Sequence, residues 1–180
     1  MNRPRGQTPS IVLTNPKFPH NVGMAIRAAS CFGIRQVWMT GQRIKDEIAD
    51  LSRIPREERL KGYKDVEMIH DDRFLDRFQP GIVPVAIELL PGSEILVDFE
   101  HPENAVYVFG PEDGSIDTAI RRHCHRFVAV PTAHCMNLSA TIYVVLYDRM
   151  LKRHKSGVQT VDFAKFLNEN RGFSESMLGE

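Results

Sequence analysis

Residues 127–154, FVAVPTAHCMNLSATIYVVLYDRMLKRH, decide the fold. They open on a short apolar run, 127–130, closed by Pro131, the pattern of a strand buried on both faces of a parallel sheet. A polar loop, 131–137, follows. From Leu138 to Leu151 the chain is apolar, ending in Lys152, Arg153, His154 and Lys155. The part at 140–147 (ATIYVVLY) has the composition of a strand. Length argues the other way: no Gly or Pro interrupts about four helical turns, and the cations sit where a helix C-terminus favours them. A helix with so little polar face must be covered on two sides. Strand, polar loop and twice-covered helix suggest a ligand loop beside a dimer interface.

Composition sets the outer bounds. The 180 residues, 42% hydrophobic and 26% charged, suffice for one core and do not default to disorder. No apolar run approaches the ~18 residues of a membrane span, and MNRPRGQTPS lacks the apolar stretch of a signal peptide. Cys31, Cys124 and Cys135 form no CxxC pair and are odd in number, which points to a reduced, cytoplasmic protein. Formal charge is zero, so any RNA contact must use local patches.

Outward from the deciding stretch, strands and helices alternate. Residues 1–9, with Arg3 and Arg5, read as a flexible basic arm. Residues 10–14 (SIVLT) are a strand, and Pro16 and Pro19 shape a fixed loop after it. A helix over 21–32 stops at Gly33, with Gly23, Arg27 and Ser30 sharing one face. Further strands fall at 36–39, 66–69, 81–88 and 105–110. Residues 46–60 are charged and helical in parts. Short helices are expected at 71–78 and 115–123, and a terminal helix at 161–168, beyond which the chain reads as frayed. The expectation is an α/β domain over 10–156, a mostly parallel sheet with helices on both faces, followed by a helix and tail at 157–180.

In such a sheet, ligands bind beyond the carboxyl ends of the strands. Neither GxGxxG nor GxxxxGK[ST] occurs, which disfavours a dinucleotide fold or a P-loop. The turn Gly110-Pro-Glu-Asp-Gly114 either lets backbone approach a flat ligand or is a plain strand-to-helix turn with acids before a helix. Asn137 and Ser139 either belong to a site or cap the next helix. Arg27, taken alone, is most often a surface arginine. The pairs His123/His125 and His134/Cys135 lack ligand spacing, and no metal is expected.

Taken together, Asn21-Val-Gly-Met-Ala-Ile-Arg27, Phe109-Gly-Pro-Glu-Asp-Gly114, and Val130-Pro131 with Met136-Asn-Leu-Ser139 resemble the three ordered motifs of the SpoU/TrmH branch of the SPOUT RNA methyltransferases. The MNLS wording is most similar to the small TrmL-type enzymes, which methylate the ribose of a tRNA wobble nucleotide. The resemblance implies a C-terminal trefoil knot, S-adenosylmethionine bound in it, a homodimer through the first and last helices, and methyl transfer to a ribose 2′-hydroxyl. It implies a cofactor site of Glu88, Leu89, Leu90, Gly110, Val130, Cys135 and Met136. Arg27 matches the family's catalytic arginine and Asn21 its partner, with Glu112, Asn137 and Ser139 shaping the site. The loop 132–135 is shorter than the family's, and Cys135 replaces a serine.

A guanidinium keeps its proton at neutral pH, so an arginine there clamps phosphate and stabilises developing charge better than it accepts a proton. Glu112 is the other candidate base. Arg3, Arg5, Lys17, Arg121, Arg122 and Arg126 are the candidate RNA contacts, tRNA being favoured over rRNA. Two alternatives stand beside this reading: a catalytically silent knotted RNA-binding or assembly factor, and a base-methylating enzyme of the same fold.

Overall fold

In a computed structural model, residues 4–48, 63–160 and 162–171 are described. The chain divides into two compact units, Met1–Asp148 and Arg149–Glu180.

The first unit is built on strands β1 (Ser10–Thr14), β2 (Gln36–Thr40), β3 (Glu67–His70), β4 (Val83–Ile87), β5 (Glu94–Ile95), β6 (Ala105–Phe109) and β7 (Arg126–Ala129). Its helices are α1 (Pro19–Cys31), α2 (Lys45–Ile48), α3 (Thr118–Arg121) and the first part of α4 (Leu138–Lys155). The sheet order is β3-β2-β1-β6-β4-β7-β5, and every pairing is parallel. Successive strand residues point to opposite faces. Ile11, Leu13, Val37, Met39, Tyr107 and Phe109 therefore join the core cluster that holds Val22, Ile26, Ile142 and Leu146 of α1 and α4. Val12, Trp38, Val106 and Val108 pack on the other face with Phe74, Phe78 and Ile116. Burying each large side chain stabilises by roughly 1.5–3 kcal/mol.

Local chemistry explains where the elements depart from expectation. Helix α1 starts at Pro19 rather than Asn21, because proline suits the first helical position, where its missing N–H costs nothing. Gly33, at φ 71, closes it. The helix expected over 71–78 is a single 3-10 turn, Phe74–Arg77. Beside it the Asp71 carboxylate accepts from the Arg73 amide (2.9 Å) and from Arg77 Nε (2.6 Å). The helix expected over 115–123 shrinks to α3, capped by Asp117, which accepts from the Ala119 amide at 2.6 Å. Strand β5 is only two residues long and carries no periodic signal. Most of 46–60 lies outside the described residues, as does the chain beyond 171.

Residues 5–7 are hydrogen-bonded to the first unit. Gly6 N donates to Arg77 O (2.9 Å), Gln7 N to Gln36 Oε1 (2.7 Å) and Gln36 Nε2 to Arg5 O (2.9 Å). This holds Arg5 at the amino end of β2, the edge opposite the strand carboxyl ends.

A buried polar link ties α4 to the sheet. The His101 ring is within 2.6 Å of Tyr107 Oη on one side and 2.7 Å of Asp148 Oδ2 on the other. The outer face of α4 leaves Tyr147 54% and Val144 37% exposed, so the single chain does not cover both of its sides.

The second unit contains the end of α4, the turn at Gly157, and α5 (Phe163–Arg171). Asp162 caps α5 by accepting from the Lys165 amide at 2.9 Å. Phe163 and Phe166 stack on it, both exposed. No described helix is long and apolar enough to cross a membrane.

Cys124 is buried, while Cys31 and Cys135 are exposed. Burial pushes the Cys124 thiol up from an ordinary 9.0 to about 11. Alkylating the native protein at mildly alkaline pH is expected to label Cys31 and Cys135 quickly and Cys124 only on unfolding, read by peptide mass spectrometry. The unfolded chain releases this proton first. The stability it contributes is full below 9.0 and falls as pH rises towards about 11.

Candidate active site

Because the strands are parallel, the loops after β4, β6 and β7 emerge at one edge. They surround an open cleft of about 730 Å³, within the ~300–1,000 Å³ of ordinary small-molecule sites. Glu88 and Leu89 line it from the first loop, Gly110 and Glu112 from the second, and Val130, Cys135 and Met136 from the third. Ile95 of β5 and Leu138 and Thr141 of α4 complete the wall. Leu90, expected among the cofactor residues, is not in this lining; its amide donates to Ser93 Oγ at 3.3 Å. His134 and Cys135 are exposed on the wall.

Glu88 stitches the loops together. Its carboxylate accepts from the Ile116 amide (2.9 Å), its amide donates to Val128 O (3.0 Å), and its carbonyl accepts from Ser93 Oγ (3.0 Å). Gly110 permits the tight return, since a Cβ there would come within 3.3 Å of Ile116 N.

A polar chain runs from the cleft wall into α1 and α4. Glu112 accepts from the Lys17 amide (2.7 Å), the Phe18 amide (3.3 Å) and Asn21 Nδ2 (2.6 Å). Asn21, fully buried, accepts from Asn137 Nδ2 at 3.3 Å. Asn137 Oδ1 accepts from the Ser139 amide (2.8 Å) and hydroxyl (2.6 Å). The capping and site readings of Asn137 are therefore one arrangement: its oxygen caps α4 and its amide joins Asn21. Burial pushes the Glu112 carboxyl up, but the donors from Asn21, Lys17 and Phe18 outweigh it and hold the group below its usual value. Three donors thus occupy this carboxylate.

Arg27 lies on α1, half-buried and outside the cleft lining. Its neighbourhood includes Tyr143, whose phenol is pushed up by burial and by Cys31 and drawn back by the Arg27 charge. Lys17 pairs with Asp113 at 3.2 Å, and Arg43 takes the same carboxylate at 2.6 Å.

Other candidate RNA contacts are scattered. Arg126 is chelated by Glu94 and lies 4.7 Å from the Phe99 ring centroid. It is the first residue of β7, at the edge away from the cleft. Arg121 ends α3 and Arg122 follows it, on the chain's return to that same edge. Arg3 lies outside the described residues. Among the described residues, no cluster of His, Cys, Asp or Glu could hold a metal ion.

A model of the SpoU rRNA Methylase family matches residues 9–147. The chain belongs to that family. The match covers the sheet, the cleft and the polar chain at its wall. A curated relative, tRNA (cytidine-2'-O-)-methyltransferase TrmJ of Methanocaldococcus jannaschii, is 24% identical over 90% of this chain and 76% of its own. A solved structure concerned with 2-OH methylation of C/U34 on tRNA superposes with TM-score 0.67 at 20% identity, covering 82% of this chain and 96% of that one. An rRNA methyltransferase from Sinorhizobium meliloti superposes with TM-score 0.66 at 18% identity over 79% of this chain. The chain spans 55% of the length of that enzyme, which has also been solved with AdoMet bound.

Proposed function

We propose that this SpoU-family chain transfers a methyl group from S-adenosylmethionine to a ribose 2′-hydroxyl of tRNA, as a homodimer in the reducing cytoplasm. One observation carries the reading: the Glu112–Asn21–Asn137–Ser139 chain starts at the wall of an open cleft at the carboxyl edge of a parallel sheet and ties it to α1 and α4. The cleft residues fit the cofactor. Apolar Leu89, Ile95, Val130 and Met136 offer surface to a flat adenosyl group. Loop backbone offers polar edges, and Glu112 lends negative charge. Glu88, Leu89, Gly110, Val130, Cys135 and Met136 would hold the molecule. Bound there, it supplies an electrophilic methyl group.

The chain's own contribution is position and charge. Arg27 grips the phosphate beside the target ribose and stabilises charge on the attacking oxygen. The proton leaves to that phosphate or a site water. Asn21 and Asn137 fix the start of α1 against the start of α4, which sets where Arg27 stands. The place of β7 between β4 and β5 supports a C-terminal trefoil knot. The exposed Tyr147 and Val144 of α4, and separately Phe163 and Phe166 of α5, support a dimer. Sedimentation equilibrium is expected to give twice the chain mass. Three free cysteines support the reducing compartment.

The deciding experiment incubates the protein with labelled S-adenosylmethionine and either total tRNA or rRNA from a strain lacking it. Nuclease-resistant 2′-O-methyl dinucleotides from tRNA are expected. Label in a base, or none with either RNA, overturns the reading. RNA binding is also expected to weaken about 10-fold or more over a fourfold rise in salt, for roughly two or three phosphate contacts. Filter binding across the salt series checks it.

A further inference from the structure

The loop after β1 and the first turn of α1 carry an aromatic pair, Phe18 and His20, whose rings take no part in the polar chain. Phe18 is 42% exposed, and its ring stacks on exposed His20 with centroids 5.7 Å apart and planes 25° apart. The Lys17 ammonium lies 5.4 Å from the Phe18 centroid. A lone exposed phenylalanine is ordinary. This one is held: the Lys17 and Phe18 amides are both bound by Glu112, a wall residue of the cleft. Lys17 and Arg43 share Asp113, leaving the trio with one net positive charge. Asp72, also nearby, accepts from the Gly41 amide and Gln42.

We infer that His20 and Phe18 form a stacking platform for an unpaired base of the RNA, beside the ribose that is methylated, with Lys17 and Arg43 facing its phosphate. The inference rests on the RNA-methyltransferase reading above. Single-stranded RNA is recognised largely by bases stacked on aromatic rings, with cations along the backbone. A preformed ring pair lowers the ordering cost of that contact. A second copy of the chain seated here would bury Lys17, Arg43 and Asp113, whereas a phosphate uses the charge already present.

The test compares His20→Ala, His20→Phe and Phe18→Ala with the wild-type dimer. The probes are total tRNA for methyl transfer and a uridylate oligomer carrying one 2-aminopurine for stacking. Expected are saturable 2-aminopurine quenching by wild type and by His20→Phe, and its loss in His20→Ala and Phe18→Ala. For His20→Ala the KM for tRNA rises on the order of 5- to 100-fold, with kcat and the Kd for S-adenosylmethionine unchanged. Unchanged KM and quenching in both alanine variants overturns the platform, as does conversion of Phe18→Ala to a monomer, which would assign the ring to a second copy. Wild type that quenches yet methylates no RNA overturns the functional reading and leaves the platform standing.

Discussion

Arg27→Ala is expected to lower kcat for RNA methylation by about 10²–10³-fold or more while the affinity for S-adenosylmethionine stays at the wild-type value. The two halves of that result come from separate places. Arg27 stands on α1 outside the cleft lining, so its removal leaves every cofactor wall intact. Its cation is the group assigned to the phosphate and the developing oxygen charge, and nothing else on α1 replaces it. Arg27→Lys keeps the charge but not the planar fork, and intermediate activity is expected. Single-turnover methylation at saturating RNA, paired with calorimetry on the cofactor, separates the two quantities. Loss of cofactor binding along with turnover would show that the arginine holds the fold of the site instead.

Glu112→Ala carries the second large effect, on stability as well as turnover. Three donors converge on this carboxylate: the Lys17 and Phe18 amides and Asn21 Nδ2. Asn21 is fully buried, so it cannot turn to water for a replacement. The Lys17 and Phe18 amides are exposed and turn to water; leaving the Asn21 donor unsatisfied costs about 1–3 kcal/mol, which for a chain of this size lowers the melting temperature by roughly 2–12 °C. A pH signature accompanies it. Glu112 titrates below its ordinary 4.5 in the folded protein, so its stabilisation is present above that value and is lost as pH falls through the folded value. Melting curves of wild type and variant are expected to differ at neutral pH and to converge in acid. A gap that persists unchanged in acid would assign the loss to packing.

The sheet was legible because its signal is dense. Strand β1 matches the expected residues 10–14, and both faces of the sheet are apolar, as parallel packing demands. Helix α4 was legible against its own composition, because length and terminal cations outweighed the β-branched run. The short elements were not. Two residues of β5 have no period, and the turn at Phe74–Arg77 looks amphipathic at any helical pitch. The motif residues Asn21, Glu112 and Asn137 could be named individually, yet their joining as one hydrogen-bonded chain depends on loops meeting across some ninety residues or more. The pairing of Arg126 with Glu94 was not legible either, since it depends on β5 lying beside β7. The stacking of Phe18 on His20 left no trace in composition.

Strand β1 is the hub of the sheet, and its two neighbours reach it at very different times. It pairs Ile11 with Val37 on one side and with Tyr107 on the other. On a ribosome, the N-terminal three-strand half exists well before the strand that must lie against it has been made. Until then β1 offers a bare, apolar flank that other nascent chains could zip onto. Such long-range closure places the protein among slow folders. Chaperone supply and lower growth temperature, more than any point mutation, are expected to govern the yield of folded material.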